Sequence, residues 1–189
     1  MPYARHTMTT IDPSNYDAMM SIANSDDFGD FSQWSGLVLI RVIRVAEDRF
    51  LTTGGYMDKA SADANADNAS AAFGKMASLM TSTPIVREGE IVWAFDGDQS
   101  LTAGYVRHVV FTYDPGQYEA MMSYVATTTE RFRSVPGLQR VRLVHCIEPQ
   151  KTPRMFSSAI FDNRTSAEAG QENMRAIMAG MDEFIIDDP

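Results

Sequence analysis

The feature that most constrains this sequence is an internal repeat. Residues 3–21 read YARHTMTTIDPSNYDAMMS and residues 105–123 read YVRHVVFTYDPGQYEAMMS, so 11 of the 19 aligned positions are identical. A stretch that returns 102 residues later in a chain of 189 predicts two halves with the same local structure. We expect the first repeat at 1–97 and the second at 98–189, with the polar, glycine-bearing stretch 96–104 between them.

Each half predicts the element order strand, helix, strand, strand, helix, strand. The first strand is rich in threonine, valine and aromatic residues, and an Asp-Pro pair follows it at Asp12-Pro13 and at Asp114-Pro115. Aspartate accepts hydrogen bonds from the free N–H groups that begin a helix, and proline fits the first helical position. A glycine then precedes an apolar strand and a hairpin, and an alanine-rich helix and a last strand complete the half. This order is the βαββαβ unit of ferredoxin-like folds, an α+β fold class.

Two such units in one chain resemble the dimeric α+β barrel superfamily, and within it the antibiotic-biosynthesis-monooxygenase-like proteins. In that superfamily two four-stranded sheets pack face to face about a two-fold axis, with their helices outside. The resemblance implies two tandem ferredoxin-like βαββαβ repeats packed as an intramolecular dimeric α+β barrel. A physical reason supports this, because an antiparallel sheet whose helices cover one face must bury the other face as well. Whether such a paired chain forms a further homodimer stays open.

The composition narrows the expected partners and compartment. A formal net charge of −9 and an isoelectric point near 4.7 disfavour nucleic acids and anionic membranes, which need clustered lysine and arginine. Cys146 is the one cysteine, so no disulfide forms within the chain. The N-terminal residues lack the apolar stretch of a signal peptide, and the longest apolar run, at 36–46, is too short to cross a bilayer. We therefore expect a cytoplasmic protein whose partner is a small apolar or aromatic molecule.

The motif Tyr-x-Arg-His places titratable groups in both openings, at 3–6 and again at 105–108. In a strand, alternation directs the tyrosine and the arginine to one face and the histidine to the other. Histidine titrates near neutral pH and therefore suits a general base. We expect Arg5 and Arg107 to form ion pairs rather than to act in catalysis. The candidate catalytic residues are His6, His108, Arg41 and Arg142, although both histidines also suit a structural role in the sheet.

The two tryptophans interrupt the repeat. Trp93 stands in an apolar strand and is expected in the core, whereas Trp34 lies in the loop sequence FSQWSG and suits a pocket wall. Tyrosines would add phenolic hydroxyls to such a wall. The candidate ligand-pocket residues are Trp34, Tyr16, Tyr56 and Tyr118. No metal site is expected, because the three histidines lack metal-ligand spacing. The sequence also contains neither a phosphate loop nor a nucleophile elbow, which disfavours nucleotide-binding and hydrolase functions.

The resemblance implies a monooxygenase that needs no cofactor and acts on a small apolar or aromatic, phenolic substrate. In such a mechanism His6 or His108 removes a proton from the phenol or its keto form. Arg41 or Arg142 then stabilises the anion, which reacts with dioxygen. The main alternative is a non-catalytic small-ligand-binding or stress-responsive protein of the same fold. A third interpretation is a haem-binding member with His6, His108 or His145 as axial ligand, although the Asn-Trp-His set of haem-degrading relatives has no match here.

Overall fold

The computed structural model describes residues 1–25, 28–98, 100–146 and 152–186. The chain divides into two compact units, unit 1 (Met1–Glu90) and unit 2 (Ile91–Pro189). The turn predicted for the hairpin of the second repeat, at 148–154, lies mostly outside the described residues. Within the ranges that are described, each helix is too short or too polar to cross a membrane.

Unit 1 has the strand order of a ferredoxin-like unit. Its elements are β1 (Tyr3–Thr10), α1 (Tyr16–Ala23), β2 (Leu37–Ala46), β3 (Arg49–Tyr56), α2 (Lys59–Ala64), α3 (Ala66–Gly74) and β4 (Ile85–Asp96), of which β4 continues into unit 2. The strands lie in the order β2-β3-β1-β4, and the pairs that β1 forms with β3 and β4 are antiparallel. Arg5 stands opposite Gly54 of β3 on one side and opposite Glu88 of β4 on the other.

Unit 2 repeats the order with one difference at its end. Its elements are β5 (Tyr105–Thr112), α4 (Tyr118–Thr128), β6 (Leu138–Cys146), β7 (Arg154–Phe161), α5 (Arg164–Ala169) and α6 (Gln171–Met178). The strand order is β4-β6-β7-β5, with β4 represented by its residues from Ile91 onward. The predicted last strand is reduced to a single bridge between Ile185 and Tyr113 within the described residues.

The local signals that begin each helix are equivalent in the two units. The carboxylate of Asp12 accepts from the Ser14 N–H at 2.9 Å, and that of Asp114 accepts from the Gly116 N–H at 2.9 Å. The second helical segments begin in the same way, since Asp58 caps α2 through Ser61 and Asn163 caps α5 through Ser166. Caps satisfy N–H groups that have no partner inside the helix. The α+β class and the tandem ferredoxin-like repeats are thus confirmed.

Two glycines mark the entry to the second strand of each unit. Gly36 has a φ of +72° and Gly137 a φ of +64°, which is left-handed backbone that glycine adopts at little cost. Each glycine also packs against the first turn of the following helix. A Cβ atom at Gly36 would lie 2.2 Å from Ser61 Oγ, and one at Gly137 would lie 2.5 Å from Ser166 Cβ. The close approach of strand and helix therefore requires glycine at both positions.

Aromatic residues fill the core of unit 2. Phe95, Phe132 and Phe161 are buried in one cluster with Ile177. Trp93 packs on this cluster, with its ring centroid 5.3 Å from that of Phe132. Trp93, which the sequence places in the core, is partly buried and packs against the edge of this core.

Candidate ligand-binding site

The alternation along β1 sorts the side chains of the opening motif onto two faces. Arg5 and Thr7 face α3 and line a cavity there. His6, one residue away, has its side chain on the other face of the sheet and is buried, with 3% of its surface exposed. A molecule between the sheet and α3 therefore meets Arg5 and does not meet His6.

A cavity of about 570 Å³ lies in unit 1 between the sheet and α3. Strands β1 and β4 form its floor, and α3 with the turn that follows forms its roof. Its apolar wall includes Ala66, Ala69, Phe73, Met80 and Val86. A volume of this size, mostly apolar with a few polar groups, suits a small organic ligand.

Small residues on α3 leave this space empty. Because Asp58 and Asn163 cap equivalent helices, positions in the second helical segments correspond at an offset of 105 (163 − 58). Ala69 then corresponds to Met174 and Ser70 to Arg175. Met174 packs against the aromatic core of unit 2. The smaller side chains of Ala69 and Ser70 therefore leave space beside the unit 1 sheet, whereas Met174 extends onto the core at the corresponding position of unit 2.

An ion pair forms the polar end of the unit 1 cavity. Nε of Arg5 donates to Oε2 of Glu88 at 2.5 Å, and Nη1 of Arg5 donates to the Ala62 carbonyl at 3.2 Å. The Arg5 side chain is 13% exposed and that of Glu88 is 33% exposed. The prediction that Arg5 is ion-paired is confirmed by these contacts. Both charged groups are held in place by the strand register, since Arg5 and Glu88 face each other across β1 and β4.

A second, smaller cavity adjoins the first at Arg5. It measures about 20 Å³ and is lined by Trp34 and Tyr56, two of the four predicted pocket residues. Burial raises the pKa of Tyr56, Glu88 adds to this rise and Arg5 opposes it. The Tyr56 hydroxyl therefore stays protonated, and able to donate, beyond the pH at which a free tyrosine ionises. Its ring lies over Gly54, where a Cβ atom would come within 3.0 Å of it.

The four predicted catalytic residues fall into two equivalent rows, one in each unit. In unit 1, His6 and Arg41 both stand opposite Thr53, and His6 Nδ1 lies 3.0 Å from Thr53 Oγ1. In unit 2, His108 and Arg142 both stand opposite Ser158. The hydroxyl of Ser158 lies 2.8 Å from His108 Nδ1. A hydroxyl-bearing residue thus separates histidine from arginine in each row, and catalysis by these four residues stays a prediction.

The guanidinium of Arg142 points along the sheet toward β4. It donates to the Phe95 carbonyl at 2.9 Å and to the Asp96 carboxylate at 2.7 Å. These contacts fix the side chain by charge-assisted hydrogen bonds. Among the described residues, no group of three or more His, Cys, Asp and Glu side chains is arranged to hold a metal ion.

Comparison with known proteins places this geometry in a known fold. A candidate monooxygenase from Fusobacterium nucleatum superposes with a TM-score of 0.73 at 10% identity, covering 98% of this chain and 88% of that one. An anthrone oxidase-like protein gives a TM-score of 0.72 at 12% identity, with 99% and 87% covered. A candidate monooxygenase from Lactobacillus acidophilus gives 0.72 at 12%, with 98% and 90% covered. This chain has the fold of the dimeric α+β barrel superfamily.

Comparison of sequences, unlike comparison of structures, finds no relative of this chain. No protein-family model matches the chain, and no curated protein matches it. At 10–12% identity the likeness to the barrel-superfamily structures concerns the fold alone. Residue roles must therefore come from the chain's own geometry.

The other two predicted pocket residues, Tyr16 in unit 1 and Tyr118 in unit 2, occupy equivalent places. Neither of them lines the two cavities described for unit 1. The Tyr16 ring stacks on Phe50, and the guanidinium of Arg44 lies 4.4 Å from its centroid. In unit 2 the Tyr118 ring stacks on His145 at 4.9 Å, so a histidine takes the place of the arginine. Their assignment to a ligand pocket stays a prediction.

The hydroxyl of Tyr113 lies 2.6 Å from Nε2 of His145. Burial raises the pKa of Tyr113 to about 12 from 10.0, and the neighbouring Tyr118 adds to the rise. Because the folded state keeps this proton to higher pH than the unfolded state, the free energy of unfolding falls as the pH rises from 10 toward 12. We expect Tyr113→Phe to remove the last tyrosine step from a titration followed by tyrosinate absorbance.

Tyr118→Phe is the matched control for this titration. It should keep the Tyr113 step and move it slightly to lower pH, because Tyr118 contributes to the raised pKa. A last step that survives in Tyr113→Phe would show that the high pKa belongs to another tyrosine. Circular dichroism at each pH verifies that the chain is still folded.

Sequence analysis did not identify Glu88 and Ala69 as site residues. Glu88 lies 83 positions from Arg5, and the two meet only through the β1–β4 register. Ala69 is one of many alanines in its predicted helix, and nothing in the first repeat distinguishes it. Its small size becomes informative only when it is compared with Met174, the corresponding residue of the second repeat. Aligning the second helices of the two repeats by their capping residues would have revealed this difference.

Proposed function

We propose that unit 1 binds a small, flat, largely apolar aromatic molecule between its sheet and α3, and that the protein oxidises this molecule with dioxygen without a cofactor. The observation that carries the proposal is the cavity of about 570 Å³ with its single charged pair at one end. Apolar walls hold the ring system, and the polar end orients it. The names of the structural neighbours, candidate monooxygenases and an anthrone oxidase-like protein, support the same class of reaction.

The proposed reaction balances without a second reductant. A base removes one proton, either from the CH₂ group of a keto tautomer or from the hydroxyl of the corresponding phenol. Both give the same anion, which adds to dioxygen at carbon as a peroxide. The peroxide then loses water to leave a ketone, so one oxygen atom enters the ligand and the other departs with the two hydrogens from carbon.

The reaction could take place on either face of the sheet, because candidate bases lie on both. Glu88 is the carboxylate within reach of a molecule in the cavity. The predicted bases, His6 and His108, act only on a molecule bound at the opposite face of their sheets. Turnover of His6→Ala, His108→Ala and Glu88→Gln, measured in one assay, identifies which face carries the reaction. The variant that lacks the acting base should lose at least about a hundredfold in turnover.

Dioxygen consumption with anthrone tests the proposal directly. We expect chelator-treated protein to take up one dioxygen for each anthrone consumed and to produce anthraquinone, with a saturable dependence on anthrone. Uptake no faster than in buffer, by protein that still binds an aromatic probe in the cavity, would contradict the oxidation. It would support the alternative of a ligand-binding protein without turnover.

Several further expectations stay predictions. The described lining of the cavity contains no histidine, so we derive no step through a haem group bound there. The boundary at residue 97, a cytoplasmic location and the absence of a cofactor also await experiment. Sedimentation equilibrium would decide whether the chain forms a further homodimer.

A further inference from the structure

We propose that the Arg5–Glu88 pair recognises the ligand in the unit 1 cavity and accepts its proton, and that it selects a neutral, acidic hydroxyl group. This inference rests on the cavity of the proposed function and names the chemistry of its polar end. The pair provides both halves of what a hydroxyl needs, a donor at the guanidinium and an acceptor at the carboxylate.

The atoms that face the ligand follow from the hydrogen bonds already made. Arg5 uses Nε toward Glu88 and Nη1 toward the Ala62 carbonyl, and Glu88 uses Oε2. Nη2 of Arg5 and Oε1 of Glu88 make no hydrogen bond with any residue that the structure describes. Both belong to side chains that line the cavity. We assign Nη2 as the donor to the ligand oxygen and Oε1 as the acceptor of its hydrogen.

The charge of the cavity selects among ligands. Arg5 and Glu88 are the charged residues of the described lining, so the cavity is neutral as a whole. A carboxylate ligand would bring a second negative charge next to Glu88, and like charges at close range in a partly buried site repel each other. A hydrocarbon would bury the pair without replacing the hydrogen bonds to water that it loses. A neutral hydroxyl satisfies both partners and leaves the charge unchanged.

The same contacts support a proton transfer. The O–H bond of the ligand breaks, the proton goes to Oε1 of Glu88, and the electron pair stays on the ligand oxygen. Arg5 holds the resulting anion through Nη2 by a charge-assisted hydrogen bond. The total charge of ligand and pair is the same before and after this step.

Unit 2 offers a matched control for the pair. Arg107 repeats Arg5, and it stands opposite Ala159 as Arg5 stands opposite Gly54. The described part of unit 2 has no strand beside β5 that corresponds to the stretch of β4 with Glu88. Arg107→Met therefore removes an equivalent charge from the other unit and should leave binding unchanged.

Binding of three probes that share one ring system tests the proposal. The probes are 1-naphthol, naphthalene and 1-naphthoate, and the titrations are done without oxygen so that no turnover interferes. We expect the protein to bind 1-naphthol at least about tenfold more tightly than naphthalene, with 1-naphthoate weakest. Arg5→Met should abolish the advantage of 1-naphthol. Glu88→Gln, which is nearly isosteric, should weaken 1-naphthol and strengthen 1-naphthoate by about tenfold each.

Three results would overturn the assignment. Equal affinity for 1-naphthol and naphthalene would show that the pair does not recognise a hydroxyl. Tightest binding of 1-naphthoate would show that the site prefers an anion, and equal losses in Arg107→Met and Arg5→Met would place the effect elsewhere. If Arg5→Met does not fold, Glu88→Gln still tests the assignment, which predicts weaker binding of 1-naphthol and tighter binding of 1-naphthoate. Affinities that do not change in these opposite directions would contradict it. Selective binding without dioxygen uptake would contradict the proposed oxidation and leave this assignment intact.

Discussion

Ala69→Met is expected to raise the dissociation constant for 1-naphthol at least about tenfold while leaving the melting temperature unchanged or higher. Ala69 faces the ligand space from α3 and lines both cavities of unit 1. A methionine there adds three heavy atoms to a space that the ligand needs. A small ligand gains between about 0.3 and 1.5 kcal/mol for each heavy atom, so displacing the few atoms that overlap the methionine accounts for a loss of at least about tenfold.

The chain supplies controls for this substitution. Ala71 is exposed on the same helix and absent from the cavity lining, so Ala71→Met adds the same side chain without filling the space. Met174→Ala alters the equivalent position of unit 2 and should leave 1-naphthol binding as it is. Calorimetric titration gives the dissociation constants. Undiminished binding in Ala69→Met would mean that the ligand lies outside this cavity.

Gly137→Ala is expected to lower the free energy of unfolding by roughly 2–4 kcal/mol. Gly137 has a φ of +64°, where an alanine is strained, and its Cβ would lie 2.2 Å from the Asp162 carboxylate. The same Cβ would lie 2.5 Å from Ser166 Cβ in α5, and relieving that contact requires the strand and the α5 helix to separate. Gly36→Ala in unit 1 meets Ser61 in the same way and should cost a similar amount.

Gly74→Ala separates this effect from the general cost of losing a glycine. Gly74 ends α3, and a Cβ atom there meets nothing within 4 Å. Alanine should therefore be neutral, or stabilising by up to about 1 kcal/mol, because it restricts the unfolded chain. Urea unfolding of the three variants measures the differences. A loss of less than about 0.5 kcal/mol in Gly137→Ala would contradict the packing described for the second unit.

The sequence predicted those features of the fold that are determined by residues close together in the chain. The Asp-Pro pairs do begin helices, because a cap and a first-turn proline act within a few positions. The duplication revealed the architecture, because two copies of the opening imply two copies of its strand and helix. Alternation placed Arg5 and His6 on opposite faces of β1, which the structure confirms.

The site depended on features that lie far apart in the chain. Arg5 and Glu88 meet because β1 and β4 pair in one particular register, and no local pattern encodes that register. The cavity depends on side-chain volume at positions such as Ala69 and Met174, which the fading repeat does not align at its original offset of 102. The sequence of an alanine-rich helix does not show whether its small residues pack against a filled core or line a cavity.

A crystal of the protein soaked with a bromine-substituted 1-naphthol gives the most direct test, because anomalous scattering locates the bromine independently of any assumption about the site. We predict one bromine peak for each chain, between α3 and the β1–β4 strands, with the ligand oxygen beside Arg5 and Glu88. A peak between the sheet and α6 of unit 2, or on the His6 face of β1, would contradict the account.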